Sequence, residues 1–390
     1  MTPPFDITYV MFLIFTGTAI LSTFALFTRQ SLLIAYIILG ALLGPWGLKL
    51  IKNTAIAEQA GNIGIIFLLF LLGLNLQPQN LFHSLRKMIG VTFASSIIFF
   101  IIGFALSFTF GYSQTECLII GIITMFSSTI VSIKLLPTTA LHHQRIGELL
   151  ISILLLQDLI AIFVILTMEI VASRTGPLRH FQLILSAFPA LFSVAYIFQN
   201  YLLDYLVKRF DKIHEYIFIL SIGWCLFMAQ FSRALGLSEE IGAFIAGVAF
   251  ASNPISLYIA ESLKPLRDFF LVIFFFSIGA GFDFDYFSQI IFPACAIASF
   301  ILILKPLIFK YLFIHVGENN SVSWELGVRL GQLSEFSLLV IYIALQTKLI
   351  SPITTYMVEA AVMITFIISC YWTVLRFPTP MAISDKLRQD

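Results

Sequence analysis

Two acidic side chains lie inside long apolar stretches of the sequence. Asp158 follows Gln157 in a run of leucine, isoleucine and alanine, and no Lys or Arg stands within a helical turn of it. Glu335 ends a short polar run that begins at Gly331. Burial in lipid favours the protonated carboxyl, so a proton can compete with a bound cation near neutral pH. We predict that Asp158 holds a dehydrated monovalent cation and a proton in turn. The alternative is a carboxyl that only hydrogen-bonds a neighbouring Ser or Thr.

Three hydroxyl side chains interrupt another apolar stretch. Ser127, Ser128 and Thr129 stand where that stretch is predicted to unwind. Hydroxyl groups and the backbone carbonyls that an unwound helix releases are hard oxygen ligands. They can complete an oxygen shell for a cation held by Asp158, to which the amide of Gln157 adds a further oxygen. Hydroxyls that merely hydrogen-bond within a helix are equally compatible with this stretch.

Basic side chains inside apolar stretches need partners. Lys305 precedes a proline, and we expect its ammonium group to neutralise Asp158 or Glu335 when no ion is bound. Glu335 is then either a structural counter-charge or a residue of the ion path, and both remain open. Arg329 lies four residues after Glu325, so we predict an ion pair along one helix. Three acids nearer to the ends of apolar stretches are expected at the membrane interface: Glu148, Glu169 and Glu359.

The composition shows what kind of chain must position these residues. Charged residues make up 11% of the 390 residues and hydrophobic residues 59%, whereas a soluble globular chain carries about 25% charged residues. Apolar runs long enough to cross a bilayer recur along the chain. We predict an all-α, polytopic membrane protein with about thirteen transmembrane segments. They lie near residues 7–27, 31–48, 56–76, 88–111, 117–135, 147–171, 181–203, 215–234, 239–251, 260–281, 290–314, 323–346 and 355–376.

Basic residues orient these segments. With the C-terminus inside, fourteen Lys and Arg residues fall on the cytoplasmic side and six outside, which favours an N-out, C-in chain. No cluster of Lys and Arg in the sequence is large enough to bind nucleic acid. The HExxH, GxGD and GxSxG patterns of enzymes do not occur. The sequence therefore excludes nucleic-acid binding and argues against an enzyme.

Two polar interruptions favour a transporter. One covers Phe126 to Ile130 in the fifth segment, and the other covers Gly331 to Glu335 in the twelfth. The two positions correspond if segments 2 to 6 repeat as segments 9 to 13. Discontinuous helices at matching positions of an inverted repeat are typical of secondary transporters with a substrate site at the bilayer midplane.

Seven motifs occur in order over nearly the whole chain. They are Gly44-Pro-Trp-Gly-Leu48, Leu71-Leu-Gly-Leu-Asn-Leu-Gln-Pro78, Ser127-Ser-Thr-Ile-Val131, Leu156-Gln-Asp158, Gly242-Ala-Phe-Ile-Ala-Gly247, Phe274-Phe-Phe-Ser-Ile-Gly279 and Gly331-Gln-Leu-Ser-Glu-Phe336. Together they resemble the monovalent cation:proton antiporters, and within that family the Kef-type potassium efflux systems. By this resemblance Asp158 matches the ion-binding aspartate, and Gln157 matches the glutamine of the potassium-type branch. Lys305 and Glu335 match the core-domain lysine and glutamate.

The resemblance also implies an architecture. It implies a homodimer with the sodium/proton-antiporter fold, in which a core domain moves against a dimerisation domain by an elevator motion. The dimerisation part would cover 7–76 and 215–281, the core part 88–171 and 290–376, and a linker helix 181–203. Similar proteins continue into a cytosolic nucleotide-binding domain. Here residues 377–390 are expected to form a cytoplasmic tail, and the sequence contains no GxGxxG.

These expectations combine into one predicted function. We predict an antiporter that exchanges potassium for protons in the inner membrane of a bacterium, with membrane lipid and a second copy of the chain as partners and with no cofactor in this chain. If Asp158 is the single titrating group, one proton leaves as one cation binds, and the exchange is electroneutral. A sodium/proton antiporter and a channel-like potassium efflux pore remain as alternatives.

Overall fold

The computed structural model describes residues 7–51, 55–75, 78–136, 145–172, 187, 189–210, 213–251, 253 and 255–379. Over these residues the chain is helical and contains no strand. The helices are α1 (Ile7–Phe27), α2 (Leu32–Leu43), α3 (Ala55–Asn75), α4 (Pro78–Thr109), α5 (Gln114–Thr124), α6 (Thr129–Lys134), α7 (Arg145–Ala172), α8 (Asp204–Phe210), α9 (His214–Ala234), α10 (Glu239–Ala251), α11 (Ser256–Gly281), α12 (Phe287–His315), α13 (Asn320–Arg329), α14 (Glu335–Gln346) and α15 (Pro352–Arg376). A π-helix (Phe198–Leu203) precedes α8, and a 3-10 turn (Phe284–Tyr286) precedes α12.

The all-α membrane architecture is confirmed. Within the described parts of the chain, seven helical spans are long and apolar enough to cross a membrane. They are α1, Met88–Thr109 of α4, Arg145–Ile165 of α7, Pro189–Val207, α9, Phe284–His315 and α15. The other predicted segments correspond to α2, α3, α10 and α11 and to two helices that are each divided in two. Several charged side chains near the start of α11 explain why this helix falls outside the seven.

Two predicted segments are discontinuous, at the positions that the sequence indicates. In the fifth, α5 ends at Thr124 and α6 begins at Thr129. In the twelfth, α13 ends at Arg329 and α14 begins at Glu335. We call the non-helical residues 125–128 the first break. The residues from Leu330 to Ser334 are the second break.

Serine side chains start the second half of each divided helix. Ser128 Oγ accepts a hydrogen bond from Val131 N at 3.1 Å. Ser334 Oγ accepts one from Phe336 N, also at 3.1 Å. A serine at this position satisfies a backbone N–H that has no partner within the helix, so each chain segment re-enters a helix at a defined residue.

The chain divides into two compact units. Unit 1 comprises Met1–Ala19, Tyr36–Gln79 and Glu169–Gly281. In it α3 packs against α10 and α11. A side chain on Gly247 would place its Cβ only 2.1 Å from the carbonyl oxygen of Phe70, so α10 approaches α3 this closely because residue 247 is glycine.

Unit 2 comprises Ile20–Ala35, Asn80–Met168 and Phe282–Asp390. In it α12 packs against α13 and α15, and α14 packs against α5 and α15. Its buried apolar cluster draws on α4, α7, α12 and α13 and includes Phe99, Leu149, Ile153, Phe309 and Leu326. Both breaks and Asp158 belong to this unit. The dimerisation, core and linker roles assigned to parts of the sequence stay predictions.

Candidate ion-binding site

The Asp158 carboxylate faces the start of α6. Asp158 lies on α7 and is 3% exposed. Each of its two carboxylate oxygens lies 3.5 Å from the hydroxyl of Thr129, the first residue of α6. Glu335, the first residue of α14, interacts electrostatically with Asp158. Helix N-termini carry partial positive charge, so both half-helices begin where they can stabilise negative charge.

Gln157 closes the first break. Its Nε2 donates to the carbonyl oxygen of Met125 at 3.1 Å, and its Oε1 accepts from Ser127 N at 3.0 Å. These fixed backbone partners determine which end of the amide is oxygen. The Gln157 oxygen accepts a hydrogen bond from Ser127 N and keeps a second lone pair. Its role as a cation ligand stays a prediction.

Hydroxyl groups of the first divided helix bind carbonyls at the end of α13. Ser127 Oγ donates to the carbonyl oxygen of Leu330 at 2.9 Å. Ser132 Oγ donates to that of Arg329, also at 2.9 Å. Of the three predicted hydroxyl ligands, only Thr129 contacts Asp158. Ser127 and Ser128 use their hydroxyls to organise the two breaks and the start of α6.

Lys305 joins the two breaks from α12. Its buried ammonium group donates to the carbonyl oxygen of Phe126 at 2.6 Å and to that of Gln332 at 3.1 Å, and Ser127 Oγ lies 3.5 Å away. The ammonium also lies 5.2 Å from the centre of the Phe99 ring. These are carbonyls just past the carboxyl ends of α5 and α13, where unpaired helix carbonyls carry partial negative charge.

This arrangement differs from the expected neutralisation of Asp158 or Glu335 by Lys305. Within the described residues the ammonium forms no ion pair with a carboxylate, and its partners are backbone and hydroxyl oxygens. Unpaired carbonyls at two nearby breaks offer a buried cation several fixed acceptors, which a single carboxylate does not. The helix α13 approaches α12 closely at Pro306, the residue after Lys305, because residue 327 is glycine: a Cβ there would lie 2.5 Å from the carbonyl oxygen of Pro306.

Arg329 binds one carboxylate and two backbone carbonyls. The predicted pair with Glu325 is present, with 2.7 Å between Arg329 Nη2 and Glu325 Oε1. The guanidinium also donates to the carbonyl oxygens of Leu135 and Pro378, each at 2.8 Å. Arg329 therefore ties the end of α6 to the residues that follow α15, which the sequence did not indicate.

The interpretation of the sequence missed three side chains that organise the second break. Gln332 Nε2 donates to Ser132 Oγ at 2.9 Å, and its Oε1 accepts from Ser369 Oγ at 2.9 Å. Leu333 N donates to Thr365 Oγ1 at 3.3 Å. A signal was available, because Thr365 and Ser369 are four residues apart and so share a face of an otherwise apolar helix.

The glutamates expected near the interface differ in burial, and a further glutamate was not singled out from the sequence. Glu359, expected at the interface, is buried on α15, whereas Glu148 is only partly buried and pairs with Arg145 at 3.1 Å. The side chain of Glu169 lies outside the described residues. Glu116 was not singled out, although its Oε1 accepts from Thr354 Oγ1 at 2.6 Å and Ser351 Oγ at 2.7 Å, and its Oε2 accepts from Ser113 Oγ at 2.8 Å.

Glu116 precedes the apolar residues of the fifth segment, at the start of α5. Burial by itself raises the pKa of this carboxyl, but the hydrogen bonds from Thr354, Ser351 and Ser113 outweigh it and lower the pKa to about 2. The carboxylate thus stays ionised at any physiological pH. It joins the first turns of α5 and α15 as a permanent acceptor.

Comparison with known proteins places the chain in a family. The family described as "Sodium/hydrogen exchanger, transmembrane" matches residues 11–375. The chain is 26% identical to K(+) efflux antiporter 5 of Arabidopsis thaliana over 327 residues, which is 79% of this chain and 56% of that protein. It is 24% identical to K(+) efflux antiporter 4 of the same plant, covering 79% of this chain and 53% of that one. The chain thus spans little more than half the length of these relatives.

A solved structure shows the same fold. The sodium proton antiporter MjNhaP1 from Methanocaldococcus jannaschii at pH 8 superposes with a TM-score of 0.68 at 16% identity, over 94% of this chain and 96% of that one. The family match covers nearly the whole chain, and both discontinuous helices stand where the family motifs lie. The protein is therefore a multi-pass membrane protein that belongs to the sodium/hydrogen exchanger family.

Proposed function

We propose that this protein is a monovalent cation:proton antiporter and that Asp158 carries the exchanged ion. The observation that supports this most directly is a carboxylate, 3% exposed, that faces the start of a half-helix at a break in a membrane segment. No group of three or more His, Cys, Asp or Glu side chains that could hold a metal ion occurs among the described residues. A single carboxylate with a hydroxyl neighbour suits one monovalent ion.

Exchange follows from the chemistry of that carboxyl. In lipid the ionised form requires a counter-ion, and the protonated form does not. A cation and a proton therefore compete for Asp158, and the empty, charged state is disfavoured. Because Glu335 interacts electrostatically with Asp158, a second negative charge at the start of α14 makes this empty state less favourable still. The site crosses the membrane loaded with one ion or the other.

Potassium is the cation that we propose. The relatives at 24% to 26% identity are named K(+) efflux antiporters, and the amide of Gln157 beside Asp158 adds an oxygen ligand without adding charge. Sodium is the second candidate, because the solved structure with the same fold is a sodium proton antiporter. With one carboxylate that exchanges ions, the transport is electroneutral.

The remaining parts of the proposal concern assembly. We place the protein as a homodimer in the inner membrane of a bacterium, with the N-terminus outside and the C-terminus inside. In this proposal the core part, residues 88–171 and 290–376, carries the ion by an elevator motion against the dimerisation part, residues 7–76 and 215–281. No cofactor takes part in the exchange itself.

The decisive experiment uses purified protein in liposomes. An imposed pH gradient should drive cation uptake, measured in parallel with potassium, sodium, rubidium and lithium. Potassium and rubidium should support the fastest exchange. Faster exchange with sodium and lithium would replace potassium by sodium in this proposal.

The same liposomes test whether the protein is a channel instead of an antiporter. At equal pH on both sides, an electroneutral antiporter releases no protons when only a membrane potential is applied, whereas a pore conducts cation freely. Cation flux that follows the potential and ignores the pH gradient would overturn the antiport mechanism.

A further inference from the structure

A second group of ionisable side chains lies in unit 2, apart from Asp158. Glu359 on α15 is 6% exposed, and its Oε2 atom is buried and accepts no hydrogen bond from any residue that the structure describes. Tyr356, one turn earlier on α15, interacts electrostatically with Glu359 and with Asp283. A buried carboxyl oxygen without a donor destabilises a fold, so an apolar residue would be the better structural choice here.

The neighbours of Glu359 mark one end of unit 2. Asp283 is 7% exposed and accepts a hydrogen bond from Asp285 N at 2.9 Å, where the chain turns into α12. The ring of Tyr356 lies 5.4 Å from that of Phe282 and 5.9 Å from that of Tyr286. Asp283 and two phenols therefore lie near the starts of α12 and α15, and Glu359 follows Tyr356 by about one turn further along α15.

Glu359 lies between this end and the second break. Ser351 caps the start of α15, and Thr365 on the same helix accepts the hydrogen bond from Leu333 N in the second break. Glu359 precedes Thr365 by six residues, which is about 9 Å along the helix axis. The carboxyl is thus buried part of the way from the end of the unit to the level of the breaks.

The other ionisable groups near α15 are accounted for. On the helices packed against it, the charged side chains lie at the level of the breaks or towards the opposite end of the unit: Lys305, Lys310 and His315 on α12, Glu325 and Arg329 on α13, and Glu335 on α14. Tyr342 on α14 is a further titratable group, and it lies seven residues beyond Glu335, towards the start of α15. Glu116 contacts the first turn of α15 and is satisfied by three hydroxyl groups. Tyr356, Asp283 and Tyr286 also lie at the Glu359 end of the helix.

We propose that Glu359 is a second proton-binding site, which relays protons between Asp158 and the solution at the end of unit 2 where α15 begins. A hydronium ion gives one proton to the Glu359 carboxylate: one O–H bond of the hydronium breaks, an O–H bond to the carboxylate forms, and a water molecule is left. The new O–H bond later breaks as the same proton passes to water that leads to Asp158, and the carboxylate is restored. Tyr356 and Asp283 flank the solution side of this site. The inference rests on the proposed antiport function.

The test compares Glu359→Gln with the wild type in liposomes. The amide keeps the size of the side chain but carries no exchangeable carboxyl proton. With saturating cation, the exchange rate should fall about 100-fold, the lower end of what a positioned proton-transfer group contributes. Its dependence on the pH of the compartment facing the start of α15 should lose one titration step. The cation concentration for half-maximal rate should stay unchanged.

A second variant, Glu359→Met, separates transport from folding. If the carboxyl exists for proton transfer, this apolar replacement should raise the melting temperature and lower the exchange rate as much as Glu359→Gln does. Glu116→Gln is the matched control, because it removes a carboxylate at the same end of unit 2 that is already fully hydrogen-bonded. Its exchange rate and pH dependence should equal those of the wild type.

Three outcomes would overturn the inference. These are a wild-type rate and pH dependence in both Glu359 variants, a changed half-maximal cation concentration with an unchanged pH dependence, or the same change in Glu116→Gln. Failure of the antiport proposal is distinguishable from all three, since the wild-type protein itself would then show no cation-dependent proton movement.

Discussion

The two breaks in unit 2 have the same local form but different supports. In the first, the side chain of Gln157 satisfies both Met125 O and Ser127 N. In the second, Thr365 on α15 accepts a hydrogen bond from Leu333 N, and Ser369 on α15 donates one to the side chain of Gln332. Among the residues that the structure describes, Lys305 alone donates to carbonyl oxygens of both breaks.

This difference assigns ion binding to the first break and a mainly structural role to the second. The residue that closes the first break is the chain neighbour of Asp158, so the geometry of this break and the position of the carboxylate depend on each other. The second break is closed by neutral hydroxyls on a different helix. Changes at the first break should therefore alter transport and its ion dependence, whereas changes at the second should alter mainly stability.

The largest effect on transport is expected at Asp158. We expect Asp158→Asn to lower the exchange rate by more than about 100-fold, because an amide neither releases a proton nor offers net charge to a cation. The variant should elute from size-exclusion chromatography as the wild type does. Asp158→Glu is the control, because it keeps the carboxyl and should keep measurable exchange. Wild-type turnover in Asp158→Asn would remove Asp158 from the mechanism.

The largest effect on stability is expected at Lys305, where both breaks meet. Lys305→Met leaves the carbonyls of Phe126 and Gln332 without a donor, and at about 1 to 3 kcal/mol for each buried acceptor the unfolding free energy should fall by about 2 to 6 kcal/mol. Thermal melting in detergent measures this. Lys310→Met on the same helix is the control, because Lys310 is only partly buried and lies over the Trp324 ring. Equal melting of the two variants would contradict the bridging role.

A change of charge at the first break should alter how transport responds to voltage. Gln157→Asp and Gln157→Asn shorten the side chain equally, so both weaken the hydrogen bonds to Met125 and Ser127. Only the aspartate adds a second titratable group next to Asp158. We expect a membrane potential at equal pH to drive exchange in Gln157→Asp alone, with a shift of preference towards sodium. A response of the wild type to the potential would show that exchange is not electroneutral.

The smallest effect is expected at the second break. Thr365→Val removes the acceptor for Leu333 N and should lower stability by about 1 kcal/mol, with exchange kinetics close to wild type. Thr355→Val is a matched control, since the Thr355 hydroxyl bonds only to Ser351 within its own helix. A large loss of turnover in Thr365→Val would mean that the two breaks share the transport role.

Some of this arrangement was predictable from the sequence, and the reasons differ by residue. The free energy of placing a carboxylate in lipid is unfavourable at any position of a membrane segment. Asp158 and Glu335 could therefore be identified as candidates without a structure. Polar runs interrupting an apolar segment also located both breaks, because they remove the apolar continuity that a membrane helix needs.

Hydrogen-bond partners were not predictable in the same way. Lys305 was expected to meet a carboxylate, yet its partners are backbone carbonyls, which every residue has and which no sequence pattern distinguishes. Glu359 was expected near the interface from its distance to the end of a segment. Its burial depends on how α15 packs against α12 and α14, and that is set by contacts between residues far apart in the chain.

The dense bonding of the first break has a consequence for backbone dynamics. Segments without regular structure usually exchange their amide hydrogens with solvent within seconds to minutes, whereas here Ser127 N is buried against the Gln157 oxygen and Met125 N is bonded to Ile122 O at 3.1 Å. Peptides spanning residues 125–128 should take up deuterium as slowly as the flanking helices do. In deuterium-labelling experiments this non-helical stretch would be as protected as a helix, and its opening would report on the unfolding of unit 2 as a whole.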